Sequence, residues 1–143
     1  MIKKKITKIL VPLDGSKNSF RGLEMAITLA RQCGSTITGV YSINVSPRSE
    51  FKSTASVRDS HNKEVKKFME EAKTLSAKNG IVFNEKIMRG ESGYNIIKLA
   101  QGKGNFSMIV IGSRGRSSTK EMFFGSVSNY VTHTSKIPVL IVK

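Results

Sequence analysis

The stretch SMIVIGSRG at residues 107–115 joins four large apolar side chains to a turn that contains two glycines. A short, continuous apolar run bounded by turn residues is typical of a strand covered on both faces, as in a parallel sheet. The run therefore predicts a buried strand over 107–111, the fourth of the chain. Gly112 and Gly115 predict that the chain turns sharply directly after it.

The rest of the chain alternates between strands of the same kind and amphipathic helices. Further strands are predicted over 6–13, 36–43, 81–88 and 138–142, and helices from the Asp14-Gly15-Ser16 turn to Gly34 and over 59–79, 92–101 and 126–134. This alternation predicts an α/β fold with right-handed crossovers. We expect one domain, 1–143, with a single open five-stranded parallel sheet, Rossmann-like or flavodoxin-like, strand order 3-2-1-4-5, and helices on both faces. Residues 44–57, rich in Ser, Arg and Lys, predict a loop within it.

Length and composition narrow the class of protein. The 143 residues, 38% of them apolar, are enough for one continuous core. No apolar stretch approaches the roughly 20 residues that a membrane-spanning helix requires, and the start of the chain leads into a strand rather than a signal peptide. Cys33 is the only cysteine and cannot form an intramolecular disulfide. We therefore expect a cytoplasmic protein with no membrane partner, in which Cys33 is a packed thiol.

The formal charge of +14 is the unusual global property. A field of that size attracts any polyanion, whether nucleotide, nucleic acid or anionic lipid. The lysines are spread along the chain without the interleaved aromatic residues that stack single-stranded bases, which favours a solvated surface. The pattern disfavours binding of nucleic acid, which stays open as an alternative.

Two turns at the carboxyl ends of predicted strands carry the chemistry that an anionic ligand needs, because ligands of parallel sheets bind at that edge. After strand four, Gly112-Ser113-Arg114-Gly115 is followed by nine residues and by Gly125-Ser126-Val127-Ser128, which opens a helix. A helix N-terminus offers unpaired N–H groups, and glycines let a phosphate approach them. The hydroxyls of Ser126 and Ser128 and the charges of Arg114 and Arg116 add further donors.

The second turn follows strand one. Asp14 offers a carboxylate that can accept hydrogen bonds from ribose hydroxyls, whereas the alternative is that Asp14-Gly15-Ser16 only caps the next helix. Two such turns at one edge favour phosphate binding over two unrelated turns. His61 and His133 stand far apart in sequence, and neither belongs to a cluster of metal ligands.

These motifs resemble those of the universal stress protein family over nearly the whole chain. Gly112, Gly115, Gly125 and Ser126 match the spacing Gly-x2-Gly-x9-Gly-Ser/Thr of the ATP-binding, UspA-like members. Val11-Pro12-Leu13-Asp14-Gly15-Ser16 and the closing Ile137–Val142 are similar too. The resemblance implies the following adenosine-binding residues: Pro12, Leu13 and Asp14 on one side, with Ile111 and Gly112 on the other.

The resemblance also implies the ligand and the assembly. The implied cofactor is ATP, with Mg²⁺ held through its phosphates as an open option, and the implied partner is a second copy bound through strand Pro138 to Val142. One departure concerns the base, because Ser42 and Ile43 stand where the family often has an apolar residue against adenine. We interpret the protein as a nucleotide-binding signalling or stress-response protein without efficient turnover. The alternatives are a slow ATP hydrolase and a polyanion-binding module.

Overall fold

A computed structural model of the protein describes residues 4–44, 55–115 and 125–143, which contain five strands and four helices. In chain order these elements are β1 (Lys8–Pro12), α1 (Lys17–Cys33), β2 (Thr36–Ile43), α2 (Ala55–Lys78), β3 (Phe83–Arg89), α3 (Ser92–Ala100), β4 (Met108–Gly112), α4 (Ser126–Thr134) and β5 (Val139–Val142).

The strands form one sheet in the order β3-β2-β1-β4-β5, and every pairing between neighbours is parallel. The predicted fold class and strand order are confirmed. The chain moves from β1 outward to β3 and then crosses to β4 on the other side of β1. The connections that leave β1 and β4 therefore diverge, and a crevice opens between them at the carboxyl ends of the strands.

Each face of the sheet carries its own core layer. Ile9 and Val11 of β1 pack with α1 and α2, where Met69 is fully buried, whereas Leu10 packs with α3 and α4, where Val131 is fully buried. This two-sided burial explains why the strands are apolar without interruption. Each fully buried side chain of this size contributes about 1.5 to 3 kcal/mol to folding.

Helix α1 begins and ends where its sequence predicts. The Ser16 side chain is the N-cap, and its Oγ accepts a hydrogen bond of 3.1 Å from the backbone N–H of Ser19. Gly34 ends the helix in the left-handed conformation with φ of 68°, and its N–H donates to the carbonyl of Ala30. The helix thus starts directly after the Asp14 turn and fixes the position of that turn.

Several local expectations are wrong. Helix α2 begins at Ala55 rather than at 59, so the end of the predicted loop is helical; residues 45–54 of that loop lie outside the described residues. Every residue of the first turn of α2 is exposed, including its apolar residues Ala55 and Val57, so an argument based on a buried apolar face did not include it. The Cys33 thiol is exposed rather than packed.

No helix in the described part of the chain combines the length and the apolar character that crossing a bilayer requires. Strand β5 lies at the edge of the sheet, as predicted.

Candidate functional site

A cleft of about 220 Å³ lies at the carboxyl ends of β1, β2 and β4, beside the first turns of α3 and α4. Every described residue that the sequence predicts for the site lines this cleft except Ile43. The lining residues among them are Pro12, Leu13, Asp14, Ser42, Ile111, Gly112, Arg114, Gly115, Gly125, Ser126, Val127 and Ser128. Two turns that are almost a hundred residues apart in sequence thus form one site.

Ile43 does not line the cleft, and its side chain lies on the side of β2 opposite to that of Ser42. Val40 belongs to the core layer beneath α3 and α4, and Ser42 shares its side of β2. Tyr41 packs in the opposite layer, against α2, and Ile43 shares that side. The carbonyl of Ile43 accepts a hydrogen bond of 2.8 Å from the Gly90 N–H. Ile43 therefore holds the turn after β3, and the prediction that its side chain borders the ligand has no support in this geometry.

The first glycine of the motif packs against α1. A Cβ atom on Gly112 would lie 2.6 Å from Asn18 Oδ1 and 2.7 Å from the Asn18 carbonyl oxygen, closer than any side chain tolerates. The same Asn18 Oδ1 accepts a hydrogen bond of 2.7 Å from the backbone N–H of Arg114. Gly112 thus permits a close approach of helix and strand, and Asn18 fixes the direction in which the loop leaves β4.

The second glycine lies against Asp14. A Cβ atom on Gly115 would be 2.6 Å from Asp14 Oδ2, while Asp14 Oδ1 accepts a hydrogen bond of 2.9 Å from the Ser16 N–H. The N-cap of α1 is Ser16 and not Asp14. The Asp14 carboxylate is therefore placed between its own turn and the loop that follows β4.

The third glycine belongs to the closure of that loop. The Gly125 N–H donates to the Ser113 carbonyl at 2.7 Å, and Ser128 Oγ lies 2.8 Å from the same oxygen and 3.0 Å from the Gly125 carbonyl. The Ser128 hydroxyl proton is used within the loop, and its side chain is 3% exposed. Ser128 thus holds the loop closed rather than offering the free hydroxyl donor that its spacing suggests.

The N-terminus of α4 opens onto the cleft. Gly125 is the N-cap and provides no side-chain hydrogen bond, and the first N–H groups of any helix have no partner within it. The Ser126 side chain is exposed at this end. Arg114 is the one cationic side chain among the described residues that line the cleft. Arg116, the other predicted cation, lies outside the described residues.

The opposite end of the cleft is mainly apolar. Leu13, Val40, Ile96 and Ile111 line it, and all four are nearly buried. Sequence reasoning missed part of the lining: Ser19, Val40, Tyr41, Ser92 and Ile96. The rule that ligands bind at strand ends also applies to the turn after β3, which Ser92 follows, but nothing local to Ile96 distinguishes it from an ordinary core residue.

Neither histidine lines the cleft. His61 Nε2 is 2.9 Å from the Tyr41 hydroxyl on the side of the sheet that α2 covers, and His133 is exposed on α4. The described residues contain no group of three His, Cys, Asp or Glu side chains able to hold a metal ion. The arrangement therefore suits a ligand with an apolar ring at one end and anionic groups at the other.

The model of the Universal stress protein family matches residues 5–143. The chain belongs to this family. Among its curated relatives, universal stress protein YxiE of Bacillus subtilis is 34% identical over 152 residues, covering 95% of this chain and 98% of the relative.

Solved structures of the family share the fold. Universal stress protein UspA from Lactobacillus plantarum superposes with a TM-score of 0.85 at 21% identity, covering 99% of this chain and 100% of its own. A universal stress protein from Archaeoglobus fulgidus, solved in complex with dAMP, gives a TM-score of 0.73 at 24% identity, with 96% and 98% covered.

Proposed function

We propose that this protein binds an adenine nucleotide, with ATP as its ligand, and that occupancy serves signalling or stress response without efficient turnover. One observation carries the proposal: a single cleft joins an apolar end to a helix N-terminus without a side-chain cap, flanked by Arg114. The complex of the Archaeoglobus relative with dAMP supports it.

Each part of the nucleotide has a place in this proposal. The phosphates lie at the N–H groups of Ser126 and Val127, where the partial positive charge of α4 favours anions. The ribose lies near Asp14, the one carboxylate among the described lining residues. The base lies among Leu13, Ile96 and their neighbours, because an apolar wall favours a flat aromatic ring. Mg²⁺ would be carried by the phosphates of ATP.

The charge of Arg114 provides a matched test. Arg31 lies exposed in the last turn of α1, at the opposite end of the sheet, so Arg31→Gln removes the same charge from the same residue type far from the cleft. We expect Arg114→Gln to weaken ATP binding about tenfold in calorimetry at physiological salt, and Arg31→Gln to change it less than twofold. Equal losses of ATP affinity in the two variants would assign the effect to net charge alone and would contradict a role for Arg114 in the site.

Release of bound small molecules gives an independent test. Freshly purified protein is denatured, and the released compounds are identified by mass spectrometry. Adenine nucleotide near one per chain supports the proposal. Absence of nucleotide, together with no calorimetric binding of ATP, contradicts it. Sustained phosphate or pyrophosphate release from ATP would replace the binding role with the hydrolase alternative.

We further propose a cytoplasmic homodimer formed through β5. All four residues of this edge strand are only half-buried, and an apolar edge is a template for pairing with a second copy. A two-fold axis would pair the strand with its copy in antiparallel fashion. Replacing Val139 and Ile141 by Lys should give a monomer by sedimentation. A monomeric wild type, or a double variant that stays dimeric, would contradict this interface.

A further inference from the structure

Ser42 is a polar residue in the apolar half of the cleft, at the end of β2. Its side chain is 7% exposed, and its Oγ makes two hydrogen bonds. The hydroxyl donates to the Gly90 carbonyl at 3.0 Å and accepts from Asn95 Nδ2 at 2.8 Å. Ser42 is therefore part of a hydrogen-bonded network and not an isolated polar group, although it stands where an apolar residue would suit a nucleobase.

Asn95 holds this network in one orientation. Its Nδ2 uses one proton on Ser42 Oγ and the other on the Arg89 carbonyl at 2.9 Å, so rotation of the amide would lose both bonds. Asn95 is 6% exposed and lies in the first turns of α3. The Gly90 N–H in turn donates to the Ile43 carbonyl. These hydrogen bonds thus connect the end of β2, the turn after β3 and helix α3, at the end of the cleft where the nucleobase is proposed to lie.

The network determines what Ser42 can offer a ligand. A hydroxyl carries one proton and two lone pairs. The proton is committed to the Gly90 carbonyl and one lone pair to Asn95. What remains on Ser42 is a lone pair, so without breaking an internal bond this side chain can only accept a hydrogen bond from a ligand.

We propose that Ser42, held by Asn95, is a specificity-determining residue that favours a 6-amino purine over a 6-oxo purine. An exocyclic amine donates to the free lone pair of Ser42, whereas a 6-oxo carbonyl meets that lone pair with its own. Asn95 acts as a positioning residue, because it fixes the direction of the Ser42 proton. The inference rests on the proposed function and names the side chain that selects the base.

The test compares three triphosphates in calorimetry: ATP, inosine triphosphate with a 6-oxo group, and purine riboside triphosphate with hydrogen at that position. One neutral hydrogen bond corresponds to about 2- to 12-fold in affinity. We expect the wild type to bind ATP about tenfold more tightly than inosine triphosphate. Ser42→Ala should reduce this ratio to about twofold or less.

Ser35 provides the matched control. Its side chain is 5% exposed and its Oγ donates to the Ile6 carbonyl, at the opposite end of the sheet. Ser35→Ala therefore removes an equally buried hydroxyl by the same substitution, and we expect it to keep the wild-type ratio. Asn95→Ala should lower the ratio while changing the affinity for purine riboside triphosphate less than twofold. An equal loss for all three ligands would show a merely structural role for Asn95.

The outcomes separate this inference from the function on which it rests. If none of the three triphosphates binds the wild type, the proposed function fails. If ATP and inosine triphosphate bind the wild type equally, or if Ser42→Ala keeps the wild-type ratio, the specificity role of Ser42 is wrong while nucleotide binding stands. Should Asn95→Ala not fold, the Ser42→Ala ratio alone decides.

Discussion

At residues 112–115 the loop after β4 presses against α1 and Asp14, whereas at residues 125–128 it leaves room for a side chain. A Cβ atom on Gly112 would lie 2.6 Å from Asn18, but the nearest atom to a Cβ on Gly125 would be 3.5 Å away, an ordinary contact. Glycine therefore occurs at these two positions of one motif for different physical reasons. Gly112 allows α1 to pack closely against the end of β4, whereas Gly125 leaves the N-terminus of α4 without a side-chain cap.

The largest expected effect on stability concerns residues 112–115, where the loop packs closely against α1 and Asp14. Gly112→Ala places a methyl group against Asn18, and overpacking of this kind should lower the free energy of unfolding by about 2 to 3 kcal/mol. Gly125→Ala, the matched variant, should cost less than about 1 kcal/mol, because Gly125 has ordinary backbone angles, but should weaken ATP binding. Thermal or denaturant unfolding measures both. Equal destabilisation by the two variants would contradict the difference in packing between Gly112 and Gly125.

The next effect concerns Asp14, which faces the tight end of the loop. Asp14→Ala should weaken ATP binding about 10- to 150-fold, the range for a lost charge-assisted hydrogen bond. The hydroxyl involved is identified with 2′-deoxy-ATP and 3′-deoxy-ATP. For the wild type, the analogue that lacks the partner hydroxyl should bind more weakly than ATP. For Asp14→Ala, that analogue and ATP should bind with equal affinity. Equal fold-losses for ATP and both analogues would refute the ribose role.

The smallest expected effect distinguishes Ser126 from Ser128, the two serines in the first turn of α4. Ser128→Ala removes the hydroxyl that bridges the Ser113 and Gly125 carbonyls, and the free energy of unfolding should fall by about 1 kcal/mol. Ser126→Ala should leave stability within about 0.5 kcal/mol of the wild type, since Ser126 is exposed, and should weaken ATP binding several-fold. The reverse assignment of the two effects would mean that Ser128 is the residue that meets the ligand.

The fold was predictable because its signals are local. The apolar run at 107–111, the cap at Ser16 and the stop at Gly34 each depend on residues close in sequence. The glycine spacing also marked most of the cleft. The start of α2 was predicted too late, because its first turn is exposed and the buried residues of the helix begin only at Val65.

The parts of the site that escaped prediction depend on packing between distant segments. Asn18 is at the start of α1, where a polar residue is expected at the surface, yet it is buried beneath the loop after β4. Asn95 and Ser42 are 53 residues apart and meet only because α3 lies against the end of β2. No spacing rule connects such pairs, and a pattern in one segment cannot show which backbone carbonyl lies opposite.

The Ser113 carbonyl has a further consequence for how this protein tolerates added sequence. Gly125 N–H and Ser128 Oγ both bond to that oxygen, so the described residues before and after positions 116–124 are joined there. When the ends of a loop are already joined, each doubling of its length costs only about 0.6 kcal/mol of closure entropy. A reporter domain inserted between Gly115 and Gly125 should therefore leave the sheet folded, while its own two termini would be held together beside the cleft.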